Sequence, residues 1–154
     1  MSTLEKALQI ASKAHEGQRD KGGRPYILHP IRVMMSLENE DEETQIVAVL
    51  HDVVEDTQVT GEDLKAEGFS EDVLLALLLL TRAQVQSYAA YVITIKTNKI
   101  ATKVKLADLK DNSRIDRAVP KYNSKGLRNY FLSYKFLTDQ LTTEEYQDLM
   151  EYRK

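Results

Sequence analysis

Apolar positions along this chain recur at three- and four-residue intervals, the period of a helix rather than of a strand. Leu4, Ala7, Leu8, Ala11 and Ala14 form one such set, with Ser2 or Thr3 ahead of it as a cap, which predicts a first helix running to about His15. The stretch Gly17–Pro25 collects glycines and charges and reads as a loop. Pro30, directly after His29, is suited to open a second helix over roughly Ile31–Leu37, followed by a polar link, Glu38–Glu43. From Glu43 to about Val54 the apolar set Ile46, Val47, Val49, Leu50, Val53 and Val54 makes a broad face, as expected of one central, buried helix. A loop at Thr57–Gly61 precedes a short helix, Gly61–Glu67, and Ser70 caps the next, Glu71–Leu80. Gln86–Thr97 reads as helix despite its β-branched run Val92–Ile95, and Asn98–Leu109 mixes helix and strand signals with helix favoured. Ser124 caps a helix through Leu137, and Thr142 followed by Glu145 is a capping box for a last helix ending near Tyr152. There is no convincing hairpin turn, internal repeat, low-complexity tract or interdomain linker. The expectation is a compact all-α fold forming a single domain over residues 1–154.

Composition narrows the function classes. A chain of 154 residues can bury a sufficient core without staples. With 42% hydrophobic and 29% charged residues, it fits neither the disordered nor the membrane class. The net charge of −3 and the lack of a long basic patch argue against a nucleic-acid partner, although local cations can still hold a phosphorylated small molecule. The absence of cysteine excludes disulfides, thiolate metal sites and cysteine nucleophiles, and agrees with a reducing compartment. The N-terminal stretch lacks an apolar signal core, and Val73–Leu80 is too short to span a bilayer. These features predict a soluble, cytoplasmic protein with no membrane partner; they do not report oligomeric state.

The residues suited to chemistry centre on His51–Asp52. An imidazole nitrogen and a carboxylate oxygen are good ligands for a borderline divalent metal, and the apolar neighbours Val49, Leu50, Val53 and Val54 place the pair on a partly buried helix. Glu55 and Asp56 follow one turn on, so three carboxylates and an imidazole crowd a single turn. A cation would relieve that repulsion, and a spare carboxylate beside it could accept a proton from water. The bland alternative is an exposed acidic helix end after Val54. His29, in Pro25–Pro30, is either a structural histidine or a ligand. Asp108, in Lys105–Asn112, lies either on an ordinary lysine-flanked amphipathic helix or at a site.

Three stretches together, AHEGQRDKGGRPYILHPIRV, AVLHDVVEDT and KVKLADLKDN, resemble the HD-domain metal-dependent phosphohydrolases, in particular the (p)ppGpp hydrolase domain of RelA/SpoT-type proteins and their small stand-alone relatives. They occur in the family order with compatible separations, and the resemblance covers roughly Leu4 to Asn112. It implies a metal held by His29, His51, Asp52 and Asp108, with Glu55 and Asp56 activating or positioning the attacking water. It implies that Lys21 binds phosphate, joined by Arg19 and Arg24, and that Asn112 lies near the nucleotide. The Tyr26 ring would either pack near the base or support the loop, with support favoured, and His15 is read as structural. The implied cofactor is one divalent ion, typically Mn²⁺, with Fe²⁺, Co²⁺ or Zn²⁺ compatible with the donor set. The implied reaction is hydrolysis at the ribose 3′ position of a guanosine tetra- or pentaphosphate, releasing pyrophosphate.

The chain departs from the alarmone hydrolases in three places. Asp20 stands where they usually carry an arginine, and Gly22 replaces a small polar residue. Thr81–Tyr91 is shorter than the usual connection, and the stretch after Asn112 follows the family only loosely. The length leaves no room for a synthetase domain. Two alternative readings stay open: an HD phosphohydrolase for another nucleotide or phosphoester, and a non-catalytic module that binds metal or nucleotide.

Overall fold

The computed structural model describes residues 1–114, 116 and 124–152. Its elements are α1 (Leu4–Ala14), α2 (Leu28–Met35), α3 (Glu42–Leu50), α4 (Val53–Asp56), α5 (Gly61–Ala66), α6 (Glu71–Leu80), α7 (Tyr88–Ile95), α8 (Lys99–Asn112), α9 (Ser124–Leu137) and α10 (Thr143–Glu151). The fold is all-α. Among the described residues the sole extended pairing is an isolated bridge between Arg19 and Pro25.

Helix starts follow side-chain caps that satisfy otherwise orphaned N–H groups. Thr3, Asp41, Ser70, Ser87 and Asn98 each accept from a backbone N–H three residues on. Thr60 with Asp63 and Thr142 with Glu145 close full capping boxes. The expected cap at Ser124 is instead the first residue of α9; its side chain lies outside the described residues, as does most of the 115–123 stretch.

Helix α3 is the hub, packed against α1, α2, α6 and α8. Ile46, Val47, Ala48, Val49 and Leu50 are all buried on it. Each fully buried valine, isoleucine or leucine of this kind contributes roughly 1.5–3 kcal/mol. The far end of the fold is closed by α9 and α10, where Phe136 stacks on Tyr146 with centroids 4.6 Å apart. The Tyr146 hydroxyl lies 2.9 Å from Ser133 Oγ.

Two expectations are corrected. The second helix begins at Leu28, three residues before Ile31, so His29 and Pro30 lie in its first turn. Proline is tolerated there because the first-turn N–H groups have no intrahelical acceptor. The single helix expected from Glu43 to Val54 is broken at His51–Asp52 into α3 and α4. The Ala48 carbonyl, which a continuous helix would pair with the Asp52 N–H, accepts from His51 Nδ1 at 2.7 Å instead. The histidine that belongs to the site interrupts its own helix.

Candidate active site

Four elements converge on one polar cluster in an otherwise apolar interior: the first turn of α2 brings His29, the α3–α4 break His51 and Asp52, and α8 Asp108. One ligating atom from each of His29, His51 and Asp108 lies within 4.8 Å of the others, and all three residues are buried. Asp52 stands beside them, its Oδ2 3.1 Å from His51 Nε2 and 3.5 Å from His29 Nε2. Asp108 Oδ1 lies 3.1 Å from His29 Nε2 and 3.6 Å from His51 Nε2.

The donor set fits a divalent cation. His51 Nδ1 is committed to the Ala48 carbonyl, which leaves Nε2 to face the cluster. That Nε2 is buried and, among the described residues, has no hydrogen-bond partner, with Asp52 Oδ2 3.1 Å and Asp108 Oδ1 3.6 Å away. A buried polar atom left this way is costly unless something else engages it. The cluster as a whole calls for positive charge. Burial pushes His51 toward neutrality, but Asp52 and Asp108 outweigh it and drive its pKa well up. Burial likewise opposes ionisation of Asp52, and the His51 and His29 imidazoles overcome it, holding that carboxyl down to about 2. Two imidazoles and two carboxylates at these separations would hold a divalent metal.

Two partners of this cluster escape a reading of the sequence. Asp111, buried on the same face of α8 one turn after Asp108, accepts from His29 Nδ1 at 2.6 Å and from Arg32 Nε and Nη2 at 2.8 and 3.0 Å. It orients the His29 ring, as carboxylates behind metal histidines commonly do. Lys105, one turn before Asp108, donates to Asp108 Oδ2 at 2.8 Å.

Glu55 and Asp56 lie at the rim. The Tyr26 hydroxyl donates to Asp52 Oδ2 at 2.6 Å and reaches Asp56 Oδ2 at 3.3 Å, so one side chain ties the cluster to the rim. Glu55 Oε1 accepts from the Arg82 backbone N–H at 3.1 Å, which places the short 81–87 connection against the site. Partial burial raises the Glu55 carboxyl above its ordinary range, opposed by that N–H and reinforced by Asp56 and Asp52. Asp56 is raised for the same first reason, with Asp52 adding to it.

Beside the rim is a cavity of about 350 Å³ lined by Arg19, Asp20, Lys21, Gly22, Tyr26, Asn112 and Tyr130. Of the expected substrate residues, Arg19, Lys21 and Asn112 line it and Arg24 does not; the Arg24 guanidinium is 3.9 Å from Asp116. Tyr130, on α9, lines it without any sequence signal pointing there. The loop is held from within. Asp20 Oδ1 accepts from the Gly22 and Arg24 N–H groups, both at 2.9 Å, and Gly23 takes φ +79°, which glycine adopts without strain. Asp20 therefore shapes the turn that presents Lys21. His15 is buried, its Nδ1 2.8 Å from Gln18 Oε1, and Gln18 donates to the Asp56 carbonyl at 3.0 Å.

An HD-domain sequence profile matches residues 7–107, and the chain belongs to the HD-domain family. Within that family it is related to the SpoT and RelA proteins. It is 33% identical over 119 residues to a guanosine-3′,5′-bis(diphosphate) 3′-pyrophosphohydrolase of Aquifex aeolicus, covering 71% of this chain and 17% of the relative. It is 33% identical over 123 residues to the bifunctional (p)ppGpp synthase/hydrolase SpoT of Escherichia coli K12, covering 72% of this chain and 18% of the relative. The chain thus spans under a fifth of the length of these curated relatives. Among solved structures, a metazoan ortholog of SpoT that hydrolyses ppGpp superposes with a TM-score of 0.71 at 27% identity, covering 98% of this chain and 93% of that one. Among the described residues, no helix is long and apolar enough to cross a membrane.

Proposed function

We propose that this chain is, as a single domain, a metal-dependent nucleotide 3′-pyrophosphohydrolase acting on guanosine tetra- or pentaphosphate-type substrates. The observation that carries the reading is the sharing of residues between cavity and cluster. Tyr26 lines the cavity and binds Asp52; Asn112 lines it and donates to Asp108 Oδ1 at 2.7 Å. A ligand in the cavity therefore meets the cluster directly. The likeness to the ppGpp-hydrolysing metazoan SpoT ortholog, over nearly the whole of both chains, supports the same substrate.

His29, His51, Asp52 and Asp108 would hold one divalent ion, for which Mn²⁺ is the family's usual choice. Such an ion supplies Lewis acidity toward a phosphate oxygen and lowers the pKa of water. The chain's own groups do the rest. Tyr26 fixes Asp52 and Asp56 relative to one another. Glu55, its affinity for protons raised by its surroundings, accepts the proton as water attacks the 3′ phosphorus, with Asp56 beside it to position that water. The bond from phosphorus to the ribose 3′ oxygen breaks, pyrophosphate departs and the 3′ oxygen takes up a proton to leave GDP. Arg19 and Lys21 offset phosphate charge at the cavity wall, and Asn112 and Tyr130 bound the space for the nucleoside. A cavity of about 350 Å³ is within the range of small-molecule sites.

A different nucleotide is the second reading, favoured by Asp20 lining the cavity where the alarmone hydrolases carry a cation. Incubating Mn²⁺-loaded protein with ppGpp, beside a chelated control, separates the two. Metal-dependent appearance of GDP and pyrophosphate supports the first. Bound metal with no release of either product refutes it and turns the search to a panel of other nucleotides.

A further inference from the structure

Lys105 is only 9% exposed, and lysine is seldom buried without a partner. Among the described residues, Asp108 is the one carboxylate it pairs with, and the face of the Tyr91 ring lies 5.3 Å from its ammonium. A buried ammonium beside a cation site repels the ion the site is built to hold, so metal affinity alone does not explain it. The two oxygens of Asp108 are divided instead. Oδ1 faces the imidazoles and takes the Asn112 amide, while Oδ2 is held by Lys105. The three-residue spacing along α8 fixes that division, since residues three apart share a helix face.

We propose that Lys105 is a positioning residue and internal counter-ion: it restricts Asp108 to one-oxygen ligation and supplies positive charge to the cluster when no metal is bound. The inference rests on the metal-site reading above. In the metal-holding state, where both imidazoles are neutral ligands, the carboxylates of Asp52 and Asp108 against one ammonium contribute a single excess negative charge. A divalent ion turns that into a single positive one. Without Lys105, the buried Asp108 loses the ammonium that holds its Oδ2, a costly loss. The lysine thus keeps the metal-free protein folded and makes the bound ion more electron-poor.

The test is K105M in the full chain, loaded with Co²⁺ or metal-free. Removing one partner of a buried pair should lower the metal-free Tm by roughly 10 °C, and the Co²⁺-loaded Tm by much less. The visible Co²⁺ bands should change as Asp108 Oδ2 becomes free to coordinate. Competition against a chromogenic chelator should show Co²⁺ binding tightened roughly tenfold or more, since a repelling charge is gone. K105R, which keeps charge and donor, should retain the wild-type spectrum and affinity. Equal Tm losses in both forms, with spectrum and affinity unchanged, overturn the proposal, and so does weakened binding in K105M. Should K105M fail to fold, K105Q carries the charge test: tightened binding supports the proposal, and unchanged or weakened binding overturns it. Wild-type protein that binds no Co²⁺ would remove the metal-site reading itself, a separate failure.

Discussion

Replacing Asp111 by alanine tests the partner behind His29. Its carboxylate is 7% exposed and takes three hydrogen bonds, one from His29 and two from the Arg32 guanidinium. Hydrogen bonds to charged groups are worth roughly 1.5–3 kcal/mol each. The His29 bond is fully buried and merits about 2–3 kcal/mol. The Arg32 side chain is 26% exposed, so water recovers part of its loss and about 1 kcal/mol is the appropriate share. The sum is about 3–4 kcal/mol, which for a domain of this size lowers Tm by roughly 6–16 °C. The second effect is on metal: a ring free to turn should bind it about 10–100-fold more weakly. Burial opposes the Asp111 charge, but His29 and Arg32 hold its carboxyl far below the ordinary range. With the folded pKa depressed, its contribution is present above the unfolded value of about 3.9 and is lost as pH falls toward the folded one. Wild-type and D111A melting temperatures should therefore converge in acid. Thermal melts from neutral to acid pH, with chelator competition for metal, read both effects. D111A with wild-type metal affinity would refute the role assigned to Asp111, whatever its Tm.

Three other outcomes are expected. Asp52→Ala should lose stoichiometric metal on elemental analysis; retention of a full equivalent would remove Asp52 from the ligand set. Glu55→Ala should keep its metal and lose about 10²–10⁴-fold in kcat, the usual weight of a positioned acid or base, so normal turnover in that variant excludes Glu55 from proton transfer. Neutralising Arg19 and Lys21 together should raise KM roughly tenfold or more while sparing metal content, and an unchanged KM would show that phosphate binds elsewhere.

The sequence carries the helix boundaries wherever a cap marks them. Ser70 and the Thr142–Glu145 box set the starts of α6 and α10 as expected, and the helical reading of Gln86–Thr97 survives its β-branched run because Val92 and Ile95 are buried against the core. Expectation and fold part company where a side chain competes with the backbone. No periodicity shows that the His51 ring takes the Ala48 carbonyl, so the α3–α4 break is invisible to an apolar pattern that runs on through Val53 and Val54. Pro30 misleads in a similar way: it marks a helix start but not which first-turn position it occupies.

The same limit governs the site. His29, His51 and Asp108 were recognisable as parts of a motif, and the fold brings them together. The charges of Lys105 and Asp111 also fit an ordinary lysine-flanked amphipathic helix, and the motif does not set them apart. A signal was nonetheless present. Ala101, Val104, Lys105, Asp108, Asp111 and Asn112 form one stripe of α8 at helical spacing. Its first members are apolar and must face the core, as the full burial of Ala101 and Val104 confirms. A straight helix carries the same face inward at its other end, so the polar members of that stripe are drawn inward too and need partners there. Lys105, Asp108 and Asp111 are all buried, and each finds an ionic partner within the site. An apolar helical stripe that turns polar part-way along is thus a sequence-level mark of a buried polar site. On α8 it selects the candidate ligand Asp108 and the two charges beside it together, where the motif selects only Asp108.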